Sequence, residues 1–313
     1  MDRATIDEAR AFNVELARAL TAEPPVETVP PDVTRAARRK GRALEPPPVF
    51  LPQARDLEVE GREGPIRVRV LAPEGEAAGV YLHFHGGGWV LGACDLQDPR
   101  LWELVEETSL CVVSVEYRLA PEHPYPAGPD DCEDVARWLA DGGAGELGAP
   151  ERVAIGGESA GAHLAALTLL RLRDAGAGGA FRAANLIFGV FDASVQRLEG
   201  EHHPSLTPSV MRWFADCFLP GLSTEERCDP AISPLYADLR GLPPALFTVG
   251  DRDVLLEDSV ILSELWTEAG NSAELRVWPE GVHGFTSFGL ALGRAALQTQ
   301  YAFLRERLPS AAA

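Results

Sequence analysis

The sequence predicts an α/β domain built on a mostly parallel sheet that helices cover on both faces. Short apolar runs alternate with helical stretches along most of the chain, the rhythm of strand–helix–strand units. Several runs, such as Val80-Tyr81-Leu82-His83-Phe84, are apolar on nearly every residue, as strands buried on both faces are. With 313 residues, 46% of them apolar, the chain is long enough to bury such a core.

The elements follow in order. Thr5 to Leu20 has helical spacing, with Ile6, Ala9, Val14, Leu16, Ala17 and Leu20 as its apolar positions, and proline-rich linkers follow at Pro24-Pro25 and Pro30-Pro31. Leu57–Val59 and Ile66–Leu71 read as an antiparallel pair joined through Gly61 to Gly64, and Val80–Phe84 is a buried strand that ends in glycines. Further strands are expected at Cys111–Tyr117, Arg152–Ile155, Leu186–Val190, Ala245–Val249 and Ala273–Trp278. Helices are expected at Asp98–Glu107, Asp130–Leu139, Ser159–Leu172 and Glu257–Glu268, the last capped by Gly270. Between Phe191 and Leu242 the rhythm breaks. Some fifty residues lack a strand signal but hold Trp213, Phe214 and Phe218, so a helical insertion forming a lid is expected there.

Composition narrows the function classes. The formal charge of −19 disfavours nucleic acid and anionic membrane surfaces as partners. No run approaches about 18 apolar residues, and Met1-Asp2-Arg3 leads into a charged segment, so a soluble, cytoplasmic protein without membrane insertion is expected. Cys94, Cys111, Cys132, Cys217 and Cys228 show no Cys-x-x-Cys spacing, which indicates neither a disulfide framework nor a zinc site.

Chemistry concentrates in one constellation. Gly157-Glu158-Ser159-Ala160-Gly161 follows an apolar run and opens an Ala/Leu-rich stretch, which places Ser159 at a strand-to-helix corner. A serine nucleophile needs a base, an acid to orient the base, and donors for the oxyanion. His283, in Gly281-Val282-His283-Gly284-Phe285, follows one strand; Asp253, with Asp251 two residues before it, follows another. All stand beyond C-terminal strand ends, where open α/β sheets build sites. His85-Gly86-Gly87-Gly88-Trp89 follows the Val80–Phe84 strand and offers backbone N–H groups of Gly87 and Gly88, joined by that of Ala160, as the oxyanion hole.

These blocks, with Tyr117-Arg118-Leu119-Ala120-Pro121-Glu122-His123-Pro124-Tyr125-Pro126-Ala127, resemble the hormone-sensitive-lipase-like family of α/β-hydrolase carboxylesterases. The resemblance runs from about residue 50 to 308, through Ser233-Pro234-Leu235 and Leu242-Pro243-Pro244. It implies an α/β-hydrolase fold with an eight-stranded sheet. It also implies N-terminal cap helices in residues 1–45, a helical cap insertion in 192–241, and a core formed by 46–191 and 242–313. The activity implied is hydrolysis of short- to medium-chain acyl esters through an acyl-enzyme, without metal or cofactor. A homodimer through the sheet edge is implied as well. The family motif favours Asp253 over Asp251 as the acid.

There are departures from the pattern. Glu158 stands where the family often has Asp, and Ala162-His163-Leu164 replaces the commoner Gly-Asn-Leu. The latter is similar to arylformamidases, which keeps an amidase on the same triad as an alternative. Plant hormone receptors share the fold but are expected to lack the histidine that His283 supplies here.

Trp89, Trp213, Phe214 and Phe285 are candidates for the substrate pocket, although large aromatics are more often core. His85 and Glu158 are expected to support the site. His202 and His203 lie in the insertion, and adjacent histidines are poorly placed to share one metal ion. Arg118, Glu122 and Asp131 are expected to form a network holding the Tyr117–Ala127 turn, and Asp258 to sit on the solvent face of its helix.

Overall fold

The computed structural model describes residues 1–41, 46–198 and 203–309. Strands β1 (Arg55–Gly61) and β2 (Gly64–Leu71) form a hairpin, and β2 runs antiparallel to β4 (Leu110–Val115). The other strands are parallel: β3 (Gly79–Phe84), β5 (Val153–Glu158), β6 (Phe181–Ile187), β7 (Ala245–Gly250) and β8 (Ala273–Trp278). Their order across the sheet is β1-β2-β4-β3-β5-β6-β7-β8. This is the mostly parallel sheet that the sequence predicts, with the eight strands of the α/β-hydrolase fold that the family resemblance implies.

Burial on both faces explains the unbroken apolar runs. Every residue of β3, β4, β5 and β7 is buried, and along β3 Val80, Leu82 and Phe84 enter one core layer while Tyr81 enters the other. Helices α4 (Ala127–Trp138), α6 (Ala160–Asp174) and α8 (Leu256–Glu268) close the first layer. Helices α3 (Asp98–Thr108) and α9 (Ala291–Arg307) close the second. A short α5 (Ala144–Glu146) precedes β5. Gly270, at φ +87°, ends α8 as expected.

Three elements pack near the carboxyl ends of the central strands. In α1 (Arg3–Ala22), Asp2 Oδ1 caps the helix by accepting Thr5 N–H at 2.9 Å, and Ala9 and Leu16 pack with Ile187, Phe188, Val249 and Val282. Helix α2 (Pro31–Arg38) starts on a proline, which suits a first helical turn because that N–H has no intrahelical acceptor. Pro30-Pro31 is therefore a helix start and not only a linker. Among the described residues, the 191–242 interval holds one full helix, α7 (Pro208–Phe218), and 3-10 turns at Glu226–Cys228 and Pro234–Tyr236.

Other differences have local causes. The sixth strand occupies Phe181–Ile187 instead of Leu186–Val190, because Phe188 turns into the left-handed region at φ +35° and ends the pairing. Asp258 does not face solvent. It lies in the buried row Asp258, Leu262, Trp266, one helical face at four-residue spacing, and accepts the N–H groups of Phe191 (2.6 Å) and Asp192 (2.9 Å). The sequence pattern predicts no element beyond His283, yet α9 buries Leu292, Ala296, Tyr301 and Leu304. Among the described residues no helix is long and apolar enough to cross a membrane.

Candidate active site

Ser159 occupies the corner between β5 and α6 at φ 57° and ψ −120°, a backbone geometry that L residues rarely adopt. Gly157 and Gly161 make the corner possible, since a β-carbon at either would overlap the Phe84 carbonyl oxygen of adjacent β3. Beyond β3, Gly87 (φ +121°), Gly88 (+62°) and Trp89 (+62°) form a left-handed run, closed where the Gly87 carbonyl accepts Val90 and Leu91 N–H at 3.1 and 2.8 Å. Gly86 lies against the nucleophile: a β-carbon there would stand 3.6 Å from Ser159 Cβ. Among the described residues, the N–H groups of Gly87, Gly88 and Ala160 have no acceptor, and that of Ala160 belongs to the open first turn of α6.

The three side chains converge from β5, β7 and β8. Ser159 Oγ is 3.0 Å from His283 Nε2, and His283 Nδ1 is 2.9 and 3.1 Å from the two Asp253 oxygens. Asp253 is 4% exposed and also accepts Leu255 N–H at 2.9 Å. Asp251 points away from the imidazole. Its Oδ1 accepts Glu280 N–H at 2.7 Å and braces the loop that leads to His283. The Phe188 ring packs edge-on to His283, with centroids 4.9 Å apart.

Support comes from two buried groups. His85 stacks on Tyr117 at 4.2 Å and its Nδ1 donates to Gly86 O at 2.9 Å, while the Tyr117 hydroxyl donates to His85 O at 2.8 Å. Glu158 binds His83 Nε2 (3.1 Å), Arg100 Nη2 (2.9 Å) and Gln97 Nε2. Burial alone would raise its carboxyl pKa, but Arg100, His83 and Gln97 outweigh burial and hold it well below the usual range. Nothing in the sequence singles out Arg100 or Gln97. They sit at the start of α3, and no local motif marks them.

The aromatic candidates divide. Trp89 is buried, with its face on Phe218 (4.6 Å) and its Nε1–H on His163, and Phe285 is buried against Phe188 and Trp278; both serve as packing. Phe214 lies directly on Gly88, and half-buried Trp213 adjoins it at 4.9 Å. Arg118 grips Asp131 as expected, at 2.9 Å, but Glu122 belongs elsewhere. It pairs with Arg35 of α2, which also donates to the carbonyls of Val90 (2.7 Å) and Ala120 (2.8 Å) and so ties α2 to the end of the glycine loop.

His203 joins the insertion to α1 through Asn13 O at 2.9 Å, whereas His202 lies outside the described residues. Among the described residues no group of three or more metal-ligating side chains is assembled. A cleft of about 590 Å³ opens between α1 and the loops after β7 and β8, and it reaches Asp253 from the side of Asn13, Val14 and Val254.

Comparison with known proteins identifies the family and the fold. Residues 81–287 match a family model described as the alpha/beta hydrolase fold. Carboxylesterase NlhH of Mycobacterium tuberculosis is 36% identical over 290 residues, which cover 88% of this chain and 89% of that protein. Esterase LipI of the same organism is 33% identical over 293 residues, 91% of each. Among solved structures, an esterase of Pyrobaculum calidifontis superposes with a TM-score of 0.82 at 30% identity, covering 93% of this chain and 97% of that one.

Proposed function

The chain belongs to the hormone-sensitive-lipase-like family of α/β-hydrolases and is a carboxylic ester hydrolase, and from that premise we propose that it cleaves short- to medium-chain acyl esters through Ser159, His283 and Asp253. The observation that carries this reading is the unbroken line from Ser159 Oγ through the His283 ring to Asp253, beside three backbone N–H groups with no acceptor among the described residues.

Asp253 accepts a hydrogen bond from His283 Nδ1–H, which fixes the tautomer and leaves Nε2 unprotonated and able to take the Ser159 proton. Serine Oγ then adds to the ester carbonyl carbon, and the negative charge moves to the carbonyl oxygen, where Gly87, Gly88 and Ala160 N–H groups receive it. Removing one such donor typically costs about 3 kcal/mol of transition-state stabilisation. The imidazolium gives its proton to the departing alkoxide, the alcohol leaves, and an acyl-enzyme remains. Water, deprotonated at Nε2, adds to the acyl carbon; collapse returns the proton to Ser159 and releases the acid. Phe214 and Trp213, beside Gly88, supply an apolar wall close to the reacting carbon, which supports short acyl groups as substrates.

Ser159→Ala is the direct test. It should abolish p-nitrophenyl acetate turnover and fluorophosphonate labelling while leaving the circular dichroism spectrum unchanged; wild-type turnover in that variant sinks the assignment. Matched ester and amide substrates assayed in parallel separate an esterase from an amidase. The reading includes a homodimer at the β8 edge, where Val277 is exposed, and sedimentation at micromolar concentration tests it.

A further inference from the structure

Trp89 adopts φ +62°, a conformation that a bulky residue keeps only when its surroundings impose it. Three contacts do so. The Ala120 N–H donates to Trp89 O at 3.0 Å, Phe218 of α7 stacks on the indole at an interplanar angle of 6°, and the indole Nε1–H donates to His163 Nδ1 at 3.1 Å.

The other nitrogen of His163 is also engaged, 2.7 Å from the carbonyl oxygen of Ile232. Indole nitrogen can only donate and a carbonyl oxygen can only accept, so the ring must be neutral with its proton on Nε2. His163 begins the second turn of α6, with its own N–H on Ser159 O at 3.2 Å, and its ring meets Phe218 edge-on at 5.9 Å. One imidazole therefore touches the nucleophile's helix, the glycine loop, helix α7 and the returning end of the 191–242 interval. Both His163 and Trp89 are buried, so water cannot replace a lost bond at no cost.

We propose that His163 is a positioning residue that couples the seating of the 191–242 interval to the oxyanion loop, through Ile232 on one ring nitrogen and Trp89 on the other. Seating this interval fixes the ring through Ile232 and Phe218; the ring fixes Trp89; and Trp89 holds the adjoining Gly87 and Gly88 N–H groups in register with Ser159. Displacing the interval frees the loop, so oxyanion stabilisation and closure over the substrate occur together. The coupling rests on the proposal that Ser159 is the nucleophile and the loop its oxyanion hole.

The test is a double-variant cycle with p-nitrophenyl acetate. His163→Phe and Trp89→Phe should each lower kcat at least tenfold with KM within about twofold, and the double variant should be no slower than the slower single one. His163→Asn keeps an acceptor near the Nδ1 position and should recover most of kcat, whereas His163→Gln, which reaches toward Ile232, should not. Additive losses, or unchanged kcat in variants that merely melt earlier, overturn the coupling.

A second measurement needs no variant. In protein labelled with nitrogen-15 at histidine and tryptophan, a coupling across the indole N–H···Nδ1 bond is expected, and a histidine proton on Nδ1 instead overturns the proposal. Wild-type protein that a fluorophosphonate fails to label at Ser159 would refute the nucleophile assignment; labelling with an additive cycle refutes only the role of His163.

Discussion

The Phe214 ring rests on Gly88 so closely that the place a β-carbon would take at Gly88 is already filled by ring atoms. Helix α7 thus presses an aromatic face onto the glycine loop, next to where the proposed mechanism puts the acyl chain. Phe214→Ala should lengthen the preferred acyl chain, raising the ratio of octanoate to acetate kcat/KM by at least tenfold, in line with about 1–3 kcal/mol per methylene accommodated. A chain-length series of p-nitrophenyl esters checks this, and an unchanged ratio would place the acyl group elsewhere.

Asp251 and Asp253 are two residues apart, yet only Asp253 faces the imidazole. Asp253→Asn should lower kcat about 10⁴-fold by presenting the wrong partner to Nδ1. Asp251→Asn loosens the Glu280 N–H contact and should cost only a few-fold. A larger loss at Asp251 than at Asp253 would reverse the two roles.

Glu158 is the counter-charge of Arg100 in a largely buried setting, with the Arg100 side chain 16% exposed. Glu158→Gln leaves that guanidinium without its partner and should reduce unfolding free energy by about 3–5 kcal/mol. Glu158→Asp keeps the charge and should lose less. Urea denaturation near neutral pH distinguishes these outcomes, and equal stability of all three proteins would show the ion pair to be energetically idle.

Two buried groups oppose one another in acid. Burial pushes the Asp258 carboxyl up to about 7, and burial pushes the His163 imidazole down to about 4. Between about pH 4 and 7, folded Asp258 holds a proton that the unfolded chain has released. Its contribution therefore falls as pH rises, by about 4 kcal/mol across the window. Between about pH 4 and 6.5, folded His163 lacks a proton that the unfolded chain binds, so its contribution rises with pH by about 3 kcal/mol. Asp258→Asn should make stability climb more steeply with pH than in the wild type, and His163→Asn should make it decline. Urea midpoints at several pH values from 4.5 to 7.5 check both signs; three parallel profiles contradict them.

The legible parts of this chain are those governed by short-range rules. Buried strands announce themselves as apolar runs, and the glycines around Ser159 and in the His85–Trp89 block stand where close backbone approach requires them. Asp258 is misleading although its spacing to Leu262 and Trp266 is readable, because a carboxylate in an apolar row suggests solvent until its two backbone donors are known. Arg35 and Arg100 carry no such local mark. Their meaning comes from partners far along the chain, Arg35 on Val90 and Glu122, and Arg100 on Glu158.

Glu280, at φ +61° three residues before His283, receives Arg10 at 2.8 Å and Arg252 at 3.4 Å, and its carbonyl accepts the Asn13 side-chain N–H at 2.8 Å. Arg10 and Glu280 are 270 positions apart. On a ribosome adding roughly 5–20 residues per second, α1 emerges roughly 15 to 50 s before the loop that fastens it. During that interval Ala9 and Leu16 have no finished surface to cover. Helix α1, made long before its partner loop, is among the last elements to dock, and nascent chains stalled short of residue 280 should hold it exposed to protease and chaperone.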